Sequence, residues 1–114
     1  MKKKFHCILL ITVLLITFSG CKKIKKAGTY ESFGKGRNGQ IKVSVTIDSE
    51  GRISDLELLE YKDNKEFVEK AFPELKEKIL EENSINVDTV TGATQSSKGI
   101  LEAVKKAIDE SEKE

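Results

Sequence analysis

The chain's 114 residues hold 20 basic and 19 acidic side chains, room for one domain with almost no net charge. So near-neutral a balance argues against nucleic acid as a partner. One histidine, one methionine, two cysteines and no tryptophan leave few ligands for metal or haem.

The first segment opens on Met1-Lys2-Lys3-Lys4 and continues in an apolar run from Ile8 to Phe18, broken only by Thr12 and Thr17, before Ser19, Gly20 and Cys21. A basic start, a short apolar core and small residues before a cut form a secretory leader. The run falls short of the ~20 residues of a spanning helix. Phe18-Ser19-Gly20-Cys21 resembles the lipobox of bacterial lipoproteins, with Phe18 in place of the usual Leu or Val. That resemblance implies diacylglycerol on the Cys21 thiol, cleavage before Cys21 and acylation of the new amino group by palmitate or a similar chain. Two or three acyl chains anchor stably where one is marginal. A free thiol in an oxidising compartment is otherwise a liability. The expectation is a signal peptide over residues 1–20 and a lipid anchor on the extracytoplasmic face of the cell membrane.

Removal of that leader takes three lysines, His6, Cys7 and the only methionine, leaving 17 basic and 19 acidic residues, a net charge of −2. Histidine-based triads, His/Cys zinc sites and haem ligation by His, Met or Cys go with them. Redox or bond-making work then falls to a bound cofactor. Residues 21–27 read as a tether. Its Lys22, Lys23, Lys25 and Lys26 either meet anionic headgroups or simply keep the linker solvated.

Gly28 to Phe33 reads weakly as a strand, followed by the glycine-rich turn Gly34 to Gly39. Gln40 to Ile47 is the clearest strand: Ile41, Val43, Val45 and Ile47 face one way and Lys42, Ser44 and Thr46 the other. Asp48-Ser49-Glu50-Gly51 predicts a hairpin into Arg52–Tyr61, where the uneven spacing from Ile53 to Leu56 predicts a bulge or twist. From Asn64 the period becomes helical through Phe67, Val68, Ala71, Phe72, Leu75, Ile79 and Leu80. Pro73 predicts a helix starting near it, after a shorter turn or helix. Ile85 to Val90 reads as a short extended stretch. A last helix is expected from Ser96 or Ser97 to about Glu110, capped by one of those serines, with Ile100, Leu101, Val104, Ala107 and Ile108 as its apolar stripe. The whole predicts an α+β domain over residues 28–110, a small antiparallel sheet packed by two main helices, with a charged tail at 111–114.

The chemistry concentrates in Asp88-Thr89-Val90-Thr91-Gly92-Ala93-Thr94-Gln95-Ser96-Ser97. Hydroxyls around a Gly-Ala pair at a helix mouth, with free N–H groups and the positive end of the macrodipole, suit a phosphate or similar anion. Read from the residues alone, the same hydroxyls serve equally as helix caps. Asp88 to Thr94 resembles the flavinylation motif of the FMN-binding domain family: an Asp, then three residues on Ser or Thr, Gly, Ala and a final Thr or Ser. This family includes a flavin-carrying component of the sodium-pumping NADH:quinone oxidoreductase, and flavin-bearing lipoproteins. The likeness runs from Gly28-Thr29-Tyr30 to the last helix. It implies that Thr94 accepts FMN through a phosphodiester made by a magnesium-dependent transferase, which takes FMN from FAD and releases AMP. Thr91, Gly92 and Ala93 complete the motif, Asp88 either holds the loop or forms a turn, and Ser96 and Ser97 are candidate phosphate donors. Many members carry a Glu-Thr-Pro-Gly loop against the flavin ring. Here Tyr61-Lys62-Asp63-Asn64-Lys65 stands in that region, leaving Tyr61 or Phe67 either to stack on the ring or to pack in the core.

A covalent flavin outside the cell is held against loss without a deep pocket, and an exposed ring favours electron exchange over chemistry on a buried substrate. The resemblance thus implies an electron carrier, not an enzyme, passing electrons from a membrane donor to an extracytoplasmic acceptor. The alternatives are a flavin-bearing subunit of a larger reductase and a lipoprotein binding module that never carries FMN.

Overall fold

A computed structural model describes residues 24–113; the expected leader, Cys21, Lys22 and Lys23 lie outside the described residues. Three strands come first, β1 (Gly28–Lys35), β2 (Gln40–Ile47) and β3 (Ile53–Tyr61), then two helices, α1 (Lys65–Glu82) and α2 (Thr94–Ser111). The strands form one antiparallel sheet in the order β1-β2-β3. Helix α2 lies on β1 and β2, while α1 packs on β3 and α2, which makes this the expected α+β layout. Among the described residues no helix is long and apolar enough to cross a membrane.

The alternation in β2 does what its period requires: Ile41, Val43, Val45 and Ile47 are all buried in the one core that both helices share. In the hairpin turn, Gly51 takes the left-handed φ of 79° and the Asp48 carboxylate accepts the N–H groups of Glu50 and Arg52. Register shifts leave Ser54 and Leu59 of β3 without partners on β2. The first shift falls between Ile53 and Leu56, and this bulge lets two residues at uneven spacing both reach the core.

The helical half departs from expectation in three places: the course of α1 and the two ends of α2. Helix α1 is one continuous helix with Pro73 inside it, rather than two pieces meeting there. Val68, Ala71, Leu75 and Ile79 form an unbroken buried stripe across the proline. Pro73 faces solvent beside exposed Glu69, whose carbonyl loses its helical partner on the wet side. Packing along the opposite face outweighs that single lost bond. Between the helices the Ile85–Val90 stretch, expected as non-helical chain, packs Ile85, Val87 and Val90 on the core without joining the sheet. Helix α2 starts at Thr94 with Ala93 as N-cap, so Ser96 and Ser97 lie inside its first turn and cap nothing. At its other end Ser111, expected in a charged tail, is fully buried as the last helical residue. Its hydroxyl donates to the Ile108 carbonyl at 2.6 Å, and its own carbonyl accepts the Lys26 N–H at 2.8 Å.

Two close backbone approaches position the site. A Cβ at Gly34 would collide with the Gly99 carbonyl oxygen, and one at Gly99 would stand 2.8 Å from the Gly36 Cα. The end of β1 and its following turn therefore rest directly on the first half of α2, which side chains at these glycines would prevent.

Candidate functional site

Three segments distant in sequence meet at the first turn of α2. The first is the motif loop itself. Ala93 N–H donates to the Val90 carbonyl at 3.0 Å, closing a turn in which Gly92 has φ of 86°. That is the left-handed third position of a type II turn, where glycine is favoured because L side chains clash. The loop then folds onto the helix it precedes: the Val90 N–H donates to Ser97 Oγ at 3.0 Å, and the Ser97 N–H to the Ala93 carbonyl at 2.9 Å.

The second and third segments are the Gly36–Gly39 turn and the junction of β3 with α1, joined by Asp63. This buried carboxylate accepts Ser96 Oγ at 2.6 Å, the Asn38 N–H at 2.7 Å and the Arg37 N–H at 3.1 Å. The Asn38 amide also donates to the Asn64 side chain. Burial alone would raise the Asp63 pKa, but the Ser96 hydroxyl and the N–H groups of Asn38, Asn64 and Arg37 together hold it below its ordinary value. A buried carboxylate so fully bonded is a fixed point: it ties the glycine-rich turn to the third residue of α2.

Above this buried layer lies an open groove of about 210 Å³, with Arg37 and Phe67 on one side and the Gly92–Ser96 stretch on the other. The Arg37 guanidinium lies 5.5 Å from the centre of the Phe67 ring, within cation–π range. The first N–H groups of a helix have no intrahelical partner, and Ala93 offers them no side-chain acceptor. Together with the positive end of the helix macrodipole they favour an anion. The Lys70 ammonium stands at the rim, 2.9 Å from where a Gly92 side chain would begin.

The structure brings some of the expected residues together and not others. Thr94 is exposed and opens on the groove, which Gly92 and Ala93 also line. Ser96 borders the groove, but its hydroxyl is committed to Asp63, and the wholly buried Ser97 accepts from Val90. Asp88 and Thr91 are exposed and stand outside the lining. Of the two candidate aromatics, Phe67 faces the groove, while the Tyr61 hydroxyl donates to Glu69 at 2.7 Å, away from it. Sequence reasoning did not single out Arg37, Asp63, Lys70 or Gln95. Among the described residues no cluster of His, Cys, Asp and Glu side chains suits a metal ion.

These features define a small α+β module with an exposed hydroxyl beside a helix mouth that favours anions. The family model of the FMN-binding domain matches residues 36–109, and the chain belongs to that family. Over 83 residues it is 35% identical to the NADH:acrylate oxidoreductase of Vibrio harveyi, covering 73% of this chain and 8% of that protein. Over 85 residues it is 33% identical to an uncharacterized protein of Treponema pallidum (strain Nichols), covering 75% of this chain and 23% of the relative. The chain thus spans less than a quarter of either. It is an FMN-binding domain, and the residues around the groove fit such a ligand: a side-chain-free turn at Gly92, the cations Arg37 and Lys70 near the helix mouth, and Phe67 beside the groove.

Proposed function

We propose that the Thr94 hydroxyl carries FMN as a phosphodiester and that the chain is an electron carrier held to the outer face of a membrane through lipid on Cys21. The observation behind it is the exposed Thr94 side chain on the groove at the helix mouth, in a chain of the FMN-binding domain family. In the attachment step the Thr94 oxygen bonds to the FMN phosphorus of FAD, the pyrophosphate bond breaks, AMP leaves and the hydroxyl proton is lost; a separate transferase supplies the catalysis. Once bound, the flavin supplies reversible electron transfer. The chain's own residues position and expose it. Gly92 keeps the approach to the phosphate open, the first N–H groups of α2 face its charge, and Asp63 keeps the surrounding turns in place. A groove this open does not enclose a substrate, which favours exchange with a partner over catalysis on a bound molecule.

A second reading, a flavin module working inside a larger reductase, is favoured by one observation. The matched region makes up only 8% of a relative named as an oxidoreductase. Under either reading, protein from a host that possesses the transferase should keep yellow colour and flavin fluorescence through denaturing electrophoresis, and Thr94→Ala should lose both. Fluorescence that washes away on denaturation would contradict covalent attachment. A colourless protein would favour the plain binding module.

A further inference from the structure

Lys70 is exposed on α1. It projects from α1 one turn beyond Phe67, on the same flank of the helix, and its ammonium reaches the turn at Gly92. Among the described residues it forms no salt bridge, a state it shares with Lys25, Lys26, Lys35, Lys62, Lys65 and Lys98; what marks it is the reach of its ammonium to the Gly92 turn. Its neighbours at the groove are also positive: the Arg37 side chain and the first turn of α2. Of the carboxylates nearby, Asp63 is buried and bonded to Ser96, Arg37 and Asn38, while Glu66, four residues before Lys70 on α1, is exposed and forms no salt bridge with it. A cation beside an arginine and a helix N-terminus, over a turn whose glycine keeps the space open, is placed to meet an anion brought to the groove.

We propose that Lys70 is the phosphate-binding residue of the flavin site, pairing with the phosphodiester between Thr94 and FMN. This rests on the reading of Thr94 given above. A phosphodiester carries one negative charge at neutral pH, and an ammonium suits it as a compact point charge. Thr94 lies two residues beyond Gly92, so a phosphate on its hydroxyl forms at the end of the turn that Lys70 overhangs. Lys70 is therefore a binding and positioning residue: without flavin it adds repulsion to the site, and with flavin it removes it.

The sign reversal gives the test. Four proteins are prepared in the presence of the transferase: the unsubstituted chain, Lys70→Gln, Thr94→Val and the double variant, the last two being the flavin-free references. Occupancy at residue 94 is read by mass spectrometry and stability by thermal unfolding. Flavin should raise the Tm of the unsubstituted chain more than that of Lys70→Gln, by about 4–8 °C in a domain of this size. In the flavin-free pair Lys70→Gln should leave Tm unchanged or higher. At about 1 M salt the difference should shrink through screening. Equal flavin-induced shifts in loaded proteins overturn the role of Lys70 and leave Thr94 attachment intact. Absence of FMN from Thr94 in the unsubstituted chain sinks the attachment itself and the Lys70 proposal with it. Should Lys70→Gln fold but resist loading, Lys70→Arg is expected to restore it, and failure to restore overturns the proposal.

Discussion

The two ends of α2 show opposite uses of a helix terminus. At the first turn the side chains that face solvent, Thr94 and Gln95, are bonded to nothing in the fold, while the structural bonds run underneath through Ser96 and Ser97. At the last turn the position is closed: Ser111 is buried, and the incoming chain is clipped to it by the Lys26 N–H. The Tyr30 hydroxyl, donating to the Lys26 carbonyl at 2.9 Å, holds that same segment. The helix is 18 residues long, about 27 Å at the helical rise. The proposed tether thus enters the fold at one end of the helix and the proposed cofactor sits at the other. The difference teaches where stability and function reside: in buried polar clamps below the surface, and in exposed, uncommitted groups above it. Substitutions at the two levels should have separable effects.

The largest loss is expected where α2 and β1 touch through backbone. Gly34→Val drives a side chain into the Gly99 carbonyl. It should cost about 3 kcal/mol or more and lower Tm by more than about 12 °C in thermal unfolding. Next comes the clamp beneath the flavin end. Asp63→Ala leaves Ser96 and the N–H groups of Arg37 and Asn38 without their acceptor, a loss of about 2–4 kcal/mol in urea unfolding. Because the folded pKa of Asp63 lies below the usual 3.8, its contribution is fully present above the unfolded value. It disappears as pH falls through the lower folded value. Asp63→Asn should therefore flatten the acid limb of the stability curve below about pH 4.

A smaller effect is expected at the end of α1. There Asn83 adopts φ of 52° and its side chain both accepts the Ile53 N–H and donates to the Ile53 carbonyl. Asn83→Gly keeps the backbone conformation and loses both bonds, about 1–2 kcal/mol by the same unfolding measurement. The smallest lies at the tether end. Tyr30→Phe removes one exposed hydrogen bond, worth about 0.5 kcal/mol, and should show as faster hydrogen exchange at the Lys26 N–H with Tm almost unchanged. A large Tm loss there would break the contrast between a clamped site and a lightly clipped tether.

How much of this was legible in the sequence depended on range. The period of two from Ile41 to Ile47 and the uneven step from Ile53 to Leu56 are local signals, and the sheet and its bulge followed from them. The hydroxyl cluster at a helix mouth was legible for the same reason, while Thr94 was singled out within it by the resemblance to the FMN-binding domain family. Pro73 misled because its local cost is real, while the stripe from Val68 to Ile79 that overrides it draws its energy from the core. Ser96 and Ser97 looked like caps because their partners were not in view: Asp63 lies 33 residues from Ser96, and Val90 reaches Ser97 only once the Gly92 turn has closed. Arg37 and Lys70 gave no sequence signal, since a lone arginine and one lysine among many become a site only when a turn and a helix converge on Gly92.

The central claim is the bond at Thr94, and it can be weighed. The tryptic peptide Ile79–Lys98, taken from protein isolated from membranes of a host with the transferase, contains the whole motif and a single Thr94. The predicted mass exceeds that of the unmodified peptide by one FMN less one water, with fragmentation placing the addition on residue 94 and Thr94→Val abolishing it. An unmodified peptide from such cells, or an addition on Thr91, Ser96 or Ser97 instead, would contradict it.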